Sequence, residues 1–320
     1  MRLALALTGV LLSGCASTQH LMAINAAVVD LRAQPHTTAQ PGTHDPLQET
    51  QLVYGERVRV RAVEDGWARV EAVEQPEYTH ARRWQGYPGW LPAAALIPPD
   101  PLAPPTIVVT VKWASTWKDA YSRIPSPWRF PLGTRLRAVD MAGQLWRVEL
   151  LDGSAVWMPR EFGTSFEELL ARPPLEQRRA VIRNAELFIG EAYLWGGRSP
   201  QPDLLGSEAV SGVDCSGLTN LAYRAAGVEI PRDAHEQFLR AKRVNALQPG
   251  DLIFLSERGN PARIAHVMLY AGDGQLIEGP GTGQRVRRIS VAERLGQPLD
   301  WLAPGSVVDG ETVSFGAFLP

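Results

Sequence analysis

The chain is 320 residues long, enough for two or three domains and too long for one small barrel or bundle. Hydrophobic residues make up 45% and charged residues 21%, which excludes a disordered chain and a multi-span membrane protein. With 32 basic and 34 acidic residues the net charge is −2, and no Lys or Arg run could track a phosphate backbone, so no nucleic-acid partner is expected.

In chain order, the first element is a leader. After Met1-Arg2 comes an apolar run, Leu3 to Leu12, far short of the roughly 20 residues that span a bilayer. Small residues follow it, so residues 1–14 read as an export signal. Leu12-Ser13-Gly14-Cys15 resembles the bacterial lipoprotein box, in which the cysteine is lipidated and becomes the mature N-terminus. Ala16 after it resembles the pattern of lipoproteins sorted to a Gram-negative outer membrane. That resemblance implies a lipid-anchored protein on the periplasmic face of that membrane, with residues 15–25 as a tether. An ordinary signal peptide containing a cysteine is the alternative.

Next comes a weak internal repeat. Gly55-Glu56-Arg57-Val58-Arg59-Val60 leads to Gly66-Trp67-Ala68-Arg69-Val70-Glu71, and Gly133-Thr134-Arg135-Leu136-Arg137-Ala138 leads to Leu145-Trp146-Arg147-Val148-Glu149. The copies end in Gly89-Trp90-Leu91-Pro92 and Ala155-Val156-Trp157-Met158-Pro159. Alternating apolar and polar residues, broken by Gly and Asp-Gly, predict short antiparallel strands. Two small barrels are expected, over residues 26–98 and 104–165, with Trp67, Trp146 and Trp157 in their cores. Both resemble bacterial SH3-like domains. Trp113, Trp117 and Trp128 read as part of an irregular loop. Pro-rich joints at Pro98 to Pro105 and Arg172-Pro173-Pro174 read as stiff spacers.

Residues 175–320 read as an α+β domain. Leu175 to Ile189 has helical apolar spacing and stops at Gly190. Val213-Asp214-Cys215-Ser216-Gly217-Leu218 precedes an apolar helical face that closes at Gly227, which puts Cys215 in a helix's first turn. Unpaired N–H groups and the macrodipole there favour a thiolate. A buried, inert cysteine is the alternative, and a base decides between them. Of the six histidines, His20, His36, His44 and His80 lie outside this domain. His266 opens the strand pattern Val267-Met268-Leu269-Tyr270-Ala271-Gly272, which turns into Gln275-Leu276-Ile277-Glu278. A helix-borne cysteine packed on a hairpin that carries a histidine can bring thiol and imidazole together. His235 reads as a surface residue. Apart from one thiol there is no Cys/His cluster with ligand spacing, so no metal or other cofactor is expected.

Tyr193-Leu194-Trp195-Gly196-Gly197, Asp214-Cys215-Ser216-Gly217, Pro249-Gly250-Asp251-Leu252 and Ala265-His266-Val267 resemble, in order and spacing, the motifs of the NlpC-type wall-peptide hydrolases. The resemblance covers the last domain and implies a papain-like cysteine peptidase fold, with the Cys-bearing helix packed on an antiparallel sheet. It implies Cys215 as nucleophile and His266 as general base. Glu278 falls at the third position, where the family usually has His. A carboxylate there can accept the imidazole N–H and stabilise the imidazolium.

Arg232-Asp233-Ala234, together with the two upstream barrels, resembles the subgroup that cleaves γ-D-glutamyl-diamino-acid bonds of stems with a free N-terminal L-Ala. That resemblance implies Asp233 as ammonium acceptor, with Tyr87 and Glu49 from the first barrel closing the cleft and Tyr54 as a rival to Tyr87. It extends the substrate-binding set to Asp214, Ser216, Ala234 and Trp195. A monomer acting on peptidoglycan-derived peptides is expected. The competing readings are a broader endopeptidase on intact wall, a silent wall-binding lipoprotein and an acyltransferase.

Overall fold

The computed structural model describes residues 20–38, 44–98, 104–201 and 211–320. The leader with Cys15 lies outside the described residues. The first sheet contains β1 (His20–Ile24), β2 (Val28–Arg32), β3 (Gln48–Val53), β4 (Arg57–Glu64), β5 (Trp67–Glu77), β6 (Gln85–Pro92) and β7 (Leu96–Ile97). The second contains β8 (Ile107–Val109), β9 (Trp113–Trp117), β10 (Pro125–Pro131), β11 (Arg135–Ala142), β12 (Leu145–Glu149), β13 (Ala155–Pro159) and β14 (Gly163–Ser165).

Strand order is β3-β2-β6-β5-β4-β1-β7 in one and β10-β9-β13-β12-β11-β8-β14 in the other. The second is the first shifted by seven strands, so the faint sequence repeat is a repeat of topology. Alternation does the folding work: along β5, Ala68, Val70 and Ala72 are buried while Arg69 faces solvent. The first core gathers Leu31, Leu52, Val58 and Leu91, and the second gathers Ile107, Phe130, Val148 and Met158.

Three expectations need correction here. The tether expected over residues 15–25 gives way at His20 to β1, which pairs with β4 and β7 and buries Ile24 completely. Trp67, Trp146 and Trp157 are half-buried rather than central. The cores are small and mainly aliphatic, and an indole fits better at the rim, where Trp146 lies under the Arg160 guanidinium. Trp113 and Trp117 bound strand β9 and Trp128 lies on β10, so the supposed loop is a hairpin.

The last domain begins with α1 (Phe166–Leu170) and α2 (Pro174–Glu186), which ends three residues before the expected helix does. Short β15 (Arg198–Ser199) and β16 (Gly212–Val213) lead into α3 (Cys215–Ala225) and α4 (Ala234–Arg240). A sheet follows, made of β17 (Lys242–Arg243), β18 (Leu252–Glu257), β19 (Asn260–Gly272), β20 (Gln275–Glu278) and β21 (Arg287–Ser290). Helix α5 (Val291–Leu295), β22 (Val307–Val308) and β23 (Glu311–Ala317) complete the chain. The order is β17-β23-β18-β19-β20-β21, antiparallel throughout, and α3 packs against β19. β19 starts six residues earlier than expected, so His266 sits within the strand.

The first barrel is locked to this domain by buried ions. Arg198 is fully buried and donates to both Glu56 carboxylate oxygens, at 2.8 and 3.1 Å, and to Asn220 Oδ1 at 2.6 Å. Arg224 reaches Glu74 at 2.8 Å and the Gly133 carbonyl of the second barrel at 3.0 Å. Removing one member of such a network leaves an uncompensated buried charge. Glu56→Ala is therefore expected to cost about 3–5 kcal/mol, read as a lower denaturant midpoint. An unchanged midpoint would show that the contact contributes nothing to seating the barrel.

Candidate active site

Asp214 is the N-cap of α3, with Oδ1 accepting the Gly217 N–H at 2.6 Å, so Cys215 is the first residue of the helix. The turn before it is tight: a Cβ on Gly217 would lie 2.2 Å from the Gly197 carbonyl oxygen. A Cβ on Gly197 would in turn lie 2.4 Å from the Gly212 carbonyl oxygen, so both positions require glycine. Arg232, fully buried, holds the arrangement by donating to Asp214 Oδ2 at 2.7 Å and Oδ1 at 3.0 Å, and to Thr50 Oγ1 at 2.7 Å. The Asp214 and Ser216 polar atoms are thus spent within the scaffold, Ser216 Oγ accepting from Arg232 at 2.9 Å. Both residues line the cleft, with their polar atoms engaged in this network.

Packing of α3 on β19 sets Cys215 against His266. The imidazole Nε2 pairs with Glu278 Oε2 at 2.9 Å, which leaves the other ring nitrogen for the thiol. Burial alone would lower the His266 pKa. The hydrogen bonds to Cys215 and Glu278, reinforced by their charges, outweigh it and push the value up to about 9. Glu278, fully buried, is held down at about 2 against its desolvation by His266, Arg294 and Arg287. Imidazolium and carboxylate therefore coexist at neutral pH. Activity that needs the imidazolium is expected to fall as pH rises through about 9. A profile with no alkaline limb up to pH 10 would contradict this.

A cavity of about 510 Å³ opens over Cys215, walled by the last domain and by the first barrel. Ala234, the first residue of α4, and the 45% exposed Trp195 line it, the latter against the His44 ring at 5.0 Å. At one end the Tyr87 hydroxyl donates to Asp233 Oδ2 at 3.0 Å and lies 3.3 Å from Glu49 Oε2. Burial, then the neighbouring carboxylates, hold the Tyr87 pKa well above its usual value, so the phenol keeps its proton. The Asp233 side chain is 37% open to the cleft, yet desolvation raises its pKa to about 6. Tyr54 lies elsewhere: its hydroxyl accepts the Leu151 N–H and its ring packs on Trp128 and Phe130.

Two residues given no such role from the sequence also face the cleft. Tyr193 is buried beside Cys215, and burial followed by the charges of Asp214 and Cys215 raises its pKa far above normal. It keeps a protonated phenol in the cleft beside the thiol. Its place in the Tyr-x-Trp-Gly-Gly motif was the available signal. Tyr193→Phe is expected to lower kcat about 10²-fold with little change in thermal stability; an unaltered kcat would remove it from the reaction. His235, expected at the surface, is half-buried in the cleft wall, with Nδ1 accepting the Ile264 N–H at 3.2 Å. Among the described residues no three His, Cys, Asp or Glu side chains converge as metal ligands.

Comparison with known proteins agrees with this geometry. The NlpC/P60 family profile matches residues 190–302. A Bacillus cereus protein named gamma-D-glutamyl-L-lysine dipeptidyl-peptidase is 30% identical over 247 residues, covering 75% of this chain and 70% of the relative. A Bacillus subtilis protein of the same name is 28% identical over 257 residues, 78% of each chain. The crystal structure of an NlpC/P60 family protein from Bacillus cereus superposes with TM-score 0.74 at 23% identity, over 94% of this chain and 100% of that one, so the fold is shared throughout. With a cysteine at a helix start, a histidine on the packed strand and a 30% identical relative matched over three quarters of the chain, this chain belongs to the NlpC/P60 family of cysteine peptidases, which act on cell-wall peptides.

Proposed function

We propose that the protein hydrolyses the γ-D-glutamyl bond to a diamino acid in wall-derived peptides whose N-terminal L-Ala carries a free amine. The observation that carries this reading is the Asp233–Tyr87–Glu49 cluster at the end of the cleft. The phenol has one proton for two carboxylates, and the next groups stand further off, Arg232 Nη1 at 3.5 Å from Asp233 Oδ1 and His80 Nε2 at 3.7 Å from Glu49 Oε2, so acceptor capacity remains for a further donor. An ammonium brings three, and buried acidic acceptors are what it requires. The names of the two Bacillus relatives support the same bond.

In this reading the Cys215 thiolate attacks the γ-carbonyl of D-Glu. The developing oxyanion is met by the Tyr193 hydroxyl and the first-turn N–H of α3. The imidazolium of His266 gives its proton to the leaving amine of the diamino acid and then activates the water that releases L-Ala-γ-D-Glu. Glu278 keeps the ring oriented and the imidazolium stabilised. Tyr87 and Glu49 of the first barrel stand at that end of the cleft, which supports released peptides over intact wall as the substrate.

The test is product analysis by mass spectrometry after incubation with L-Ala-γ-D-Glu-diaminopimelate, its N-acetylated form and intact sacculi. Dipeptide released from the free-amine peptide alone is the expected result. Equal cleavage of the acetylated peptide would overturn the proposal. The same proposal includes a monomer anchored through a lipidated Cys15 at the periplasmic face of the outer membrane. Cys15→Ala should then move the protein from the detergent phase to the aqueous phase on partitioning.

A further inference from the structure

Glu278 stands where a carboxylate directly behind the general base raises a physical difficulty. Fully buried, it must remain ionised without water, and a lone imidazole partner would leave one oxygen unpaired. It would also compete with the thiolate for the imidazolium proton. The structure resolves both points with two guanidinium groups.

Arg287 lies directly across the β20–β21 ladder from Glu278 and donates to Oε1 from Nε at 3.0 Å and Nη2 at 2.7 Å. Arg294, in the last turn of α5, donates from Nε to Oε2 at 3.0 Å, on the same oxygen that receives His266. Helix α5 is itself fixed by a capping box between Ser290 and Glu293, which aims its last turn at the site. Both carboxylate oxygens are thus occupied, and Glu278 cannot rotate away from the ring. The charged or titratable groups that act on His266 are Cys215 on the substrate side and Glu278 behind, the latter itself paired with Arg287 and Arg294.

We propose that Arg287 and Arg294 are positioning residues that act through Glu278, fixing the His266 ring and limiting the negative charge the carboxylate presents to it. A carboxylate shared with two cations accepts the imidazole N–H but is a poor acceptor of the proton itself, so the proton remains available to the leaving amine. The two arginines are therefore what makes glutamate workable at this position. This inference rests on His266 acting as the general base.

The test uses the full-length protein and two readouts. One is the pH profile of kcat and KM on the γ-D-glutamyl tripeptide; the other is the pH dependence of Cys215 alkylation by iodoacetamide, which needs no substrate. Losing the cations favours the imidazolium, so in Arg287→Gln/Arg294→Gln the alkaline limb should move up by about one pH unit. The kcat should fall about tenfold while KM changes less than twofold. Arg294→Lys should hold the limb near its wild-type position with only part of kcat restored, because an ammonium lacks the planar fork. If the double variant does not fold, Arg294→Gln alone carries the test, with about half the shift. An unmoved limb in a folded Gln variant, or kcat and KM worsening together, would overturn the inference. Full activity in His266→Ala would instead overturn the assignment of the base, which separates the two failures.

Discussion

Cys215→Ala is expected to reduce turnover of any peptide substrate by at least about 10⁴-fold while leaving the fold intact. The size follows from the chemistry: without the sulfur there is no acyl-enzyme, and His266 and Tyr193 can only assist water. The fold should tolerate the change because Cys215 is 8% exposed at the edge of its cluster and α3 is anchored by Asp214, Arg232 and its own apolar face. A substrate should still bind, since the Asp233–Tyr87–Glu49 pocket is untouched. Kinetics together with thermal unfolding check this. Turnover within tenfold of the wild type would remove Cys215 from the mechanism.

Asp233→Ala is expected to have the next largest effect, and a selective one. Truncating one partner of a desolvated charge pair costs about 2–5 kcal/mol, or roughly 30- to several-thousand-fold in kcat/KM for the free-amine peptide. The acetylated peptide, which never used the carboxylate, should lose little of whatever activity it has. The pH dependence gives a second check. Because the Asp233 pKa is raised to about 6, the carboxylate gains its charge only as pH rises through that value. The substrate amine keeps its proton to about pH 8. KM for the free-amine peptide should therefore fall as pH rises through about 6, reach its lowest values up to about 8, and then climb. In Asp233→Ala the acidic limb of that dependence should vanish. Equal losses on both peptides would remove Asp233 from amine recognition, and helix capping would not explain them, since its side chain makes no capping hydrogen bond to α4.

The barrel seating and the chemistry are linked through a few residues. Glu236 on α4 accepts the Thr79 N–H of the first barrel at 3.0 Å, and Arg263 on β19 donates to Thr79 Oγ1 at 3.0 Å. Tyr87 and Glu49 are therefore held over the cleft by contacts outside the cleft floor. A variant that loosens the barrel, such as Glu56→Ala, should weaken discrimination of the amine before it slows the thiol chemistry.

The sequence by itself determined the local machinery. Asp214 and Gly217 around Cys215 mark a capped helix start, and the alternation through His266 to Glu278 marks a hairpin, because both patterns arise from interactions within a few residues. The repeat and its strand alternation were legible for the same reason. Tertiary structure decided what depends on distant parts of the chain meeting. The pairing of β1 with β4 and β7 turned an expected tether into a strand, since only the assembled sheet offers His20–Ile24 its partners. The aliphatic cores left the tryptophans at the rims, where an indole's bulk is accommodated. The clamping of Glu278 by Arg287 and Arg294 needed the β20–β21 register and the aim of α5. The cleft's closed end needed Asp233 to meet Tyr87, 146 residues away in sequence, and no local pattern encodes such a meeting because buried ion pairs between domains, not neighbouring residues, create it.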